Sequence, residues 1–280
     1  MEQHSADKKS EFPIPSPGRD GSLCLSRPLE GKRILVTRPK GQASQLGDKL
    51  VELGAIPVQL PAIEIVPPED YAPLDATIRN LPKFDWVVFT SVNGVSAVAA
   101  RMDQIKIARS ALSGRKIAVI GPSTASAVTQ AFRAPDLVPH EFVSEALTST
   151  LGEVKGLKFA LLRADIARKD LPIELKAAGA EVHEITVYRI ISDDNSRLAD
   201  TEPMPDYITL TSSSSALATM AKLREAGHEG WLRKVPIACI GPITAKTVRD
   251  MGYKVAVGAD EYTIPGLVEA IVKHSKGIHA

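Results

Sequence analysis

Two cysteines, Cys24 and Cys239, are all that this 280-residue chain carries. They lie too far apart in sequence to make a disulfide framework or a zinc cage, and such usage fits a reducing, cytosolic home. Long apolar runs are missing as well. The longest candidate, Trp86 to Ala100, is broken by Ser91, Asn93 and Ser96 and falls short of the roughly 20 residues that a membrane span needs. Neither sign of charge dominates: 34 Lys plus Arg stand against 33 Asp plus Glu, a net charge of +1. That balance excludes broad electrostatic capture of nucleic acid or membrane and leaves room for a local basic site. The six histidines have no metal spacing, and His183-Glu184 does not open a His-Glu-x-x-His helix. Gly-x-Gly-x-x-Gly, the Walker loop and the Gly-x-Ser-x-Gly elbow are all absent, so nucleotide, ATP and serine-hydrolase readings lose their main support.

What is present is a globular composition, 44% hydrophobic, over a length that suggests two domains at about 150 residues each. Residues 1–30 carry Pro13, Pro15, Pro17 and Pro28 without any apolar period, and read as a disordered tail. From Gly31 onward, short β-branched runs alternate with helix-period segments. Strands are expected at Arg33–Thr37, Ile56–Leu60, Trp86–Thr90, Lys116–Ile120, Lys158–Leu162, Glu181–Ile185, Tyr207–Leu210, Ile237–Ile240 and Lys254–Val257, with a weaker one at Asp136–Val138. Continuous apolar strands separated by helices predict an α/β fold with parallel sheets covered on both faces. Val92, Val95, Ala99 and Met102 form one helix face; Ile264, Leu267, Val268, Ile271 and Val272 form another.

The chain also resembles itself at an offset of 120 to 125 residues, as an internal duplication would. Gly31 to Arg38 matches Gly156 to Arg163, Thr90-Ser91 matches Thr211-Ser212, and Ile120-Gly-Pro-Ser-Thr-Ala125 matches Ile240-Gly-Pro-Ile-Thr-Ala245. The boundaries favour an exchange of segments over a tandem cut. Ala62-Ile-Glu-Ile-Val66 ends in Pro67-Pro68, and Thr186 to Ile191 ends in Ser-Asp-Asp-Asn. Each is an extended stretch closed by a breaker, suited to an antiparallel two-stranded linker. The expectation is a first domain of residues 31–62 plus 192–276, a second of 67–187, and linkers at 62–67 and 187–192.

Four strand-to-helix turns carry glycine, hydroxyl or amide chemistry: Thr90 to Gly94, Gly121 to Thr124, Thr211 to Ser215, and Gly241 to Thr244. Glycine admits a ligand close to the backbone, proline at the first helical position surrenders an N–H that had no partner, and the helix dipole favours an anion. Each turn is thus a mild receptor for carboxylate or phosphate, although Ser, Thr and Asn are also ordinary helix caps. Arg38 and Arg163 follow strands at matching places, where a guanidinium can fork onto a carboxylate. Arg168 and Lys169 open a helix, against the usual dipole preference. Tyr188 lies on the linker strand.

Taken together, Ile34-Leu-Val-Thr-Arg-Pro39, Val88-Phe-Thr-Ser-Val-Asn-Gly94, Ala118-Val-Ile-Gly-Pro-Ser-Thr-Ala125, Leu161-Leu-Arg163, Val187-Tyr188 and Ala238-Cys-Ile-Gly-Pro-Ile-Thr-Ala245 resemble the uroporphyrinogen-III synthase family. The match runs from Gly31 to Lys273. It implies two flavodoxin-like domains and the substrate hydroxymethylbilane, a linear tetrapyrrole with an acetate and a propionate on each ring. In the family's reaction the hydroxymethyl group leaves as water, and the chain closes through a spiro intermediate with inversion of the last ring. No cofactor or metal is implied. Tyr188 becomes the candidate proton donor. Thr124 and Thr244, with Gly121 and Gly241, would bind carboxylates, and Ser91, Asn93, Ser213, Ser215, Arg38 and Arg163 would complete the cleft. Two positions depart from the pattern: Ile243 replaces Ser or Thr, and Asn93 stands where some relatives have Arg. A cytoplasmic monomer that receives its substrate from the preceding enzyme of haem biosynthesis completes the expectation. Two other readings stay open on the residues alone, a sugar-phosphate isomerase and a non-catalytic two-lobed binder of an anionic metabolite.

Overall fold

The computed structural model describes residues 27–139, 144–194 and 201–278. Its strands are β1 (Arg33–Val36), β2 (Ile56–Gln59), β3 (Ile63–Val66), β4 (Trp86–Phe89), β5 (Lys116–Val119), β6 (Lys158–Ala164), β7 (Glu181–Ser192), β8 (Tyr207–Leu210), β9 (Ile237–Cys239) and β10 (Val257–Gly258). The helices between them are α1 (Lys40–Glu52), α2 (Ala72–Arg79), α3 (Val92–Gln104), α4 (Pro122–Ala131), α5 (Ser144–Leu151), α6 (Asp170–Ala177), α7 (Ser213–Glu225), α8 (Glu229–Lys234), α9 (Pro242–Asp250) and α10 (Ile264–Ser275). No helix among the described residues is long and apolar enough to cross a membrane.

Two five-stranded sheets result, in the orders β10-β9-β8-β1-β2 and β3-β7-β6-β4-β5. Every pairing is parallel except β3 with β7. The chain leaves the first sheet after β2, builds the second, and returns at β8. Its outgoing strand β3 and the last part of β7 run antiparallel, from Ile63 opposite Ser192 to Val66 opposite Arg189. In the first sheet strand order reverses between β1 and β8, and in the second between β6 and β4. Such switch points open crevices beyond the strands' carboxyl ends.

The apolar strands fill both faces of each sheet because successive side chains alternate. Ile34 and Val36 pack with Leu46, Leu50 and Leu267, while Leu35 turns to Ile208, Met220 and Trp231 on the other face. In the second sheet Val87 and Phe89 meet Val95, Val98 and Met102, and Trp86 and Val88 meet Leu171 and Leu175.

The structure corrects several expectations. The fold begins before Gly31: Leu29 is fully buried against α1, its N–H bonds the Leu53 carbonyl at 3.1 Å, and the Gly31 N–H bonds Gly54 at 3.0 Å. The rest of the expected tail, residues 1–26, lies outside the described residues. Glu181 to Ser192 is a single strand of 12 residues, since no breaker separates Ile185 from Thr186. The strand expected at Lys254–Val257 shrinks to Val257–Gly258, and Asp136–Val138 gives one bridge, Leu137 to Ala118. Val92 leaves the core face of α3 and is 41% exposed; Val98 takes its place. Leu29→Ala is expected to cost about 2–5 kcal/mol, the range for emptying a buried leucine site. Chemical denaturation measures it, and a midpoint unchanged from wild type would return Leu29 to the tail.

Candidate active site

The carboxyl ends of the two sheets face a cavity of about 590 Å³. From the first sheet come Arg38, Gln42, Ser44 and Gln45 after β1, Thr211 after β8, Ile240 after β9, and Tyr262 and Ile264 beyond β10. From the second come Val92, Asn93 and Ser96 after β4, and Ile120 to Thr124 after β5. Arg38 is the sole charged side chain among these lining residues, and no carboxylate is among them. The rest are hydroxyls, amides and apolar groups.

The four turns divide by how their helix ends are satisfied. At α3, the Ser91 hydroxyl accepts the Gly94 N–H at 3.1 Å. At α7, Ser212 and Ser215 form a reciprocal capping box, with bonds of 3.1 and 3.2 Å. These two are conventional caps. The helices α4 and α9 begin differently. Gly121 and Gly241 occupy their N-cap positions and bring no capping side chain, Pro122 and Pro242 follow, and the first helical bonds are made by Ala125 and Ala245. The N–H groups of Ser123 and Thr124, and of Ile243 and Thr244, precede those bonds and face out of the helix ends. Gly121 has φ of +85°, a conformation that strains any residue with a Cβ. Gly241 is extended, and its missing side chain leaves room for the Tyr262 ring, whose Cγ lies 3.3 Å from where a Cβ would stand.

Arg38 is half-buried, and burial lowers its pKa from the ordinary value. Its Nη2 donates to Gln42 Oε1 at 3.1 Å, while its buried Nε has no hydrogen-bond partner. Gln42 Nε2 in turn donates to Asn93 Oδ1, joining α1 to α3 across the cavity. Beside Asn93, the Tyr188 hydroxyl is 3.0 Å from Ser91 Oγ. Tyr188 reaches this place through a bulge: Arg163 pairs with Thr186, but Ala164 pairs with Tyr188, so Val187 is the extra residue. A bulge re-aims the side chain that follows it, and here both Val187 and Tyr188 are buried. Burial pushes the Tyr188 phenol above its ordinary value, and the hydrogen-bonding neighbours Ser91 and Asn93 pull it part of the way back. Tyr188 is therefore protonated at neutral pH.

Of the candidates read from the sequence, Arg38, Asn93, Gly121 and Thr124 line the cavity. Ser91 and Tyr188 stand behind Asn93, and Thr244 and Gly241 flank the wall made by Ile240 and Tyr262. Three others have different partners. Ser215 closes the α7 cap, Ser213 accepts a bond from Thr247 at 2.8 Å, and Arg163 is buried with its Nη2 on the Arg168 carbonyl and its Nη1 3.5 Å from Glu184. Arg168 pairs with Asp170 and Lys169 with Glu184, so these two cations make surface ion pairs. Gln42, Gln45 and Tyr262 were not legible as site residues. A fourth glycine-bearing turn, Pro39-Lys-Gly-Gln42 after β1, was the available signal for Gln42. Cys239 is buried and its thiol is pushed up to about 12, which denies it a nucleophile's role. Among the described residues, no group of three His, Cys, Asp or Glu side chains is arranged to hold a metal ion.

Two mostly parallel sheets whose carboxyl edges share a cavity, rich in uncharged donors and holding one cation among its described lining residues, define an α/β protein with a cleft of small-molecule size. The sequence model of uroporphyrinogen-III synthase HemD matches residues 44–269, and the chain belongs to the uroporphyrinogen-III synthase family. It is 33% identical over 254 residues to the uroporphyrinogen-III synthase of Synechococcus elongatus, covering 88% of this chain and 96% of that one. It is 27% identical over 262 residues to the porphyrin biosynthesis protein HemD of Ruminiclostridium josui, covering 91% of this chain and about half, 51%, of that longer protein. A crystal structure of a mutant uroporphyrinogen III synthase from Thermus thermophilus shares the fold, with a TM-score of 0.66 at 18% identity over 89% of this chain and 100% of that one.

Proposed function

We propose that the chain carries out its family's reaction, closing hydroxymethylbilane to uroporphyrinogen III with loss of water and inversion of ring D. The observation that carries this reading is the composition of the cavity wall: neutral donors from both sheets, Arg38, and no acid. A polyacid enters such a space without meeting like charge. Ile120 and Ile240, at matching places after β5 and β9, add apolar surface for the pyrrole faces.

Tyr188 gives its proton to the hydroxymethyl oxygen as the C–O bond breaks, the electron pair leaving with water. The adjacent pyrrole supplies electrons to the methylene carbon, forming the azafulvene cation. That carbon then attacks the substituted position of ring D. The spiro intermediate rearranges, and the proton lost on final closure returns to the Tyr188 oxygen. Closure without inversion needs no enzyme and gives the type I isomer, so the wall's main task is to hold one folded conformer. In this reading residues 31–62 plus 192–276 and residues 67–187 are two duplicated, flavodoxin-like lobes. The first sheet, numbered in chain order, reads 2-1-3-4-5, and the second repeats its 2-1-3-4 part with β5, β4, β6 and β7 while β3 adds antiparallel at the edge, which supports it. The antiparallel segment of β3 and β7 then serves as the linker about which a cytoplasmic monomer opens and closes.

Incubating the purified full chain with hydroxymethylbilane and separating the isomers tests the proposal. Type III in excess over the protein-free control is expected, and type I alone would overturn it. A sugar-phosphate isomerase needs a carboxylate base, and the described wall has none. At the α9 turn, Thr244→Ala is expected to raise KM only a few-fold, one hydroxyl being worth about 0.5–1.5 kcal/mol. Thr244→Glu is expected to raise it far more, by setting a carboxylate against the substrate's own. Steady-state kinetics on both variants decide, and equal effects would remove that turn from carboxylate binding.

A further inference from the structure

The bonds around Gln42 have only one consistent direction. Arg38 can only donate, so the Gln42 oxygen must accept from it. The Gln42 nitrogen then donates to the Asn93 oxygen, which commits that oxygen as an acceptor and leaves the Asn93 nitrogen to act as the donor by which Asn93 pulls the neighbouring Tyr188 phenol down. The arginine thus orients two amides in series, one from each sheet, with each donor directed away from the arginine. Chains of hydrogen bonds polarise one another, most effectively where water is scarce. Tyr188 and its neighbour Ser91 stand at the far end, 3.0 Å apart.

We propose that Gln42 is a positioning residue: it carries the field of the Arg38 guanidinium across the cleft, through Asn93, to the Tyr188 oxygen. The inference rests on Tyr188 acting as the proton donor of the proposed reaction. A phenol becomes a better acid when donors converge on its oxygen, because they stabilise the phenolate left behind. The series spans the two sheets and is complete only when their edges stand together. Departure of the hydroxyl is thereby tied to a closed cleft. That coupling has a chemical purpose, since an azafulvene formed in an open cleft is free to close without inversion.

Two substitutions separate the links. Gln42→Leu removes both bonds. Gln42→Glu keeps an acceptor for Arg38 but has no N–H to give Asn93. In the full-length protein, both are expected to lower kcat for type III formation about tenfold, a part of the 10²–10⁴ that general acid catalysis supplies. Both should also move Tyr188 ionisation to higher pH, read as the ultraviolet difference titration against Tyr188→Phe in the same background. In that Tyr188→Phe background, Gln42→Leu is expected to change kcat less than twofold. A purely structural role for Gln42 would alter KM or stability and leave the phenol titration where it was. Unchanged kcat and an unchanged titration in a folded Gln42→Leu protein overturn the relay while Tyr188 keeps its role. An unaffected Tyr188→Phe enzyme overturns the Tyr188 assignment and the relay with it. Type I product alone from the wild-type chain removes the function on which both depend.

Discussion

Tyr188→Phe is expected to slow type III formation about a hundredfold, at the low end of what a positioned acid supplies, with the fold intact. The substitution keeps the ring that packs beside Val187 in the core and deletes only the oxygen. Ser91, the partner that loses it, still accepts the Gly94 N–H, so the stability cost should stay near 1 kcal/mol. The pH dependence has a definite sign. The phenol acts in its protonated form, and burial holds its pKa above the ordinary value. Tyr188 should thus remain competent through neutral and mildly alkaline pH, with its contribution lost only as pH rises through that elevated value. Rapid isomer analysis after mixing with hydroxymethylbilane measures the rate, and a folded variant with the wild-type rate would take Tyr188 out of the mechanism.

Arg38→Ala should produce the largest change in substrate affinity. Its guanidinium is the cavity's lone described charge, it is half-buried, and its Nε is held away from water without a partner. An arriving carboxylate satisfies that donor with a charge-assisted bond of the kind worth about 1.5–3 kcal/mol, equivalent to a rise in KM of about 10- to 150-fold on its loss. Arg38→Lys should recover only part of this, because an ammonium lacks the planar fork that also reaches Gln42. Arg38→Glu should be worse than alanine. Titration of substrate concentration at constant ionic strength gives the KM values, since salt screens partly exposed pairs. A KM for Arg38→Ala within twofold of wild type would show that the substrate does not contact this arginine.

The α/β class, the strand positions and the two glycine-proline turns were legible because they rest on local rules. A fully buried strand must read as a continuous apolar run, and Val87 to Phe89 or Phe159 to Leu162 can be nothing else. A helix start needs an N-cap, and proline after glycine marks one. Leu29 escaped notice because a single leucine among prolines has no period. Its burial depends on α1, which follows it in the chain. Val92 fell on the apolar face of its helix by spacing, yet it lies in the first turn of α3, where it lines the cavity and stays exposed.

Sequence by itself determined which segments are strands and helices and where four of the helices begin, since alternation, breakers and capping act over a few residues. Only the tertiary structure decided that Gln42 and Asn93, 51 positions apart, meet over the cavity. The reason is that partners for a hydroxyl or an amide are chosen by distance in space. The crossing of the chain from the first sheet to the second sets that distance.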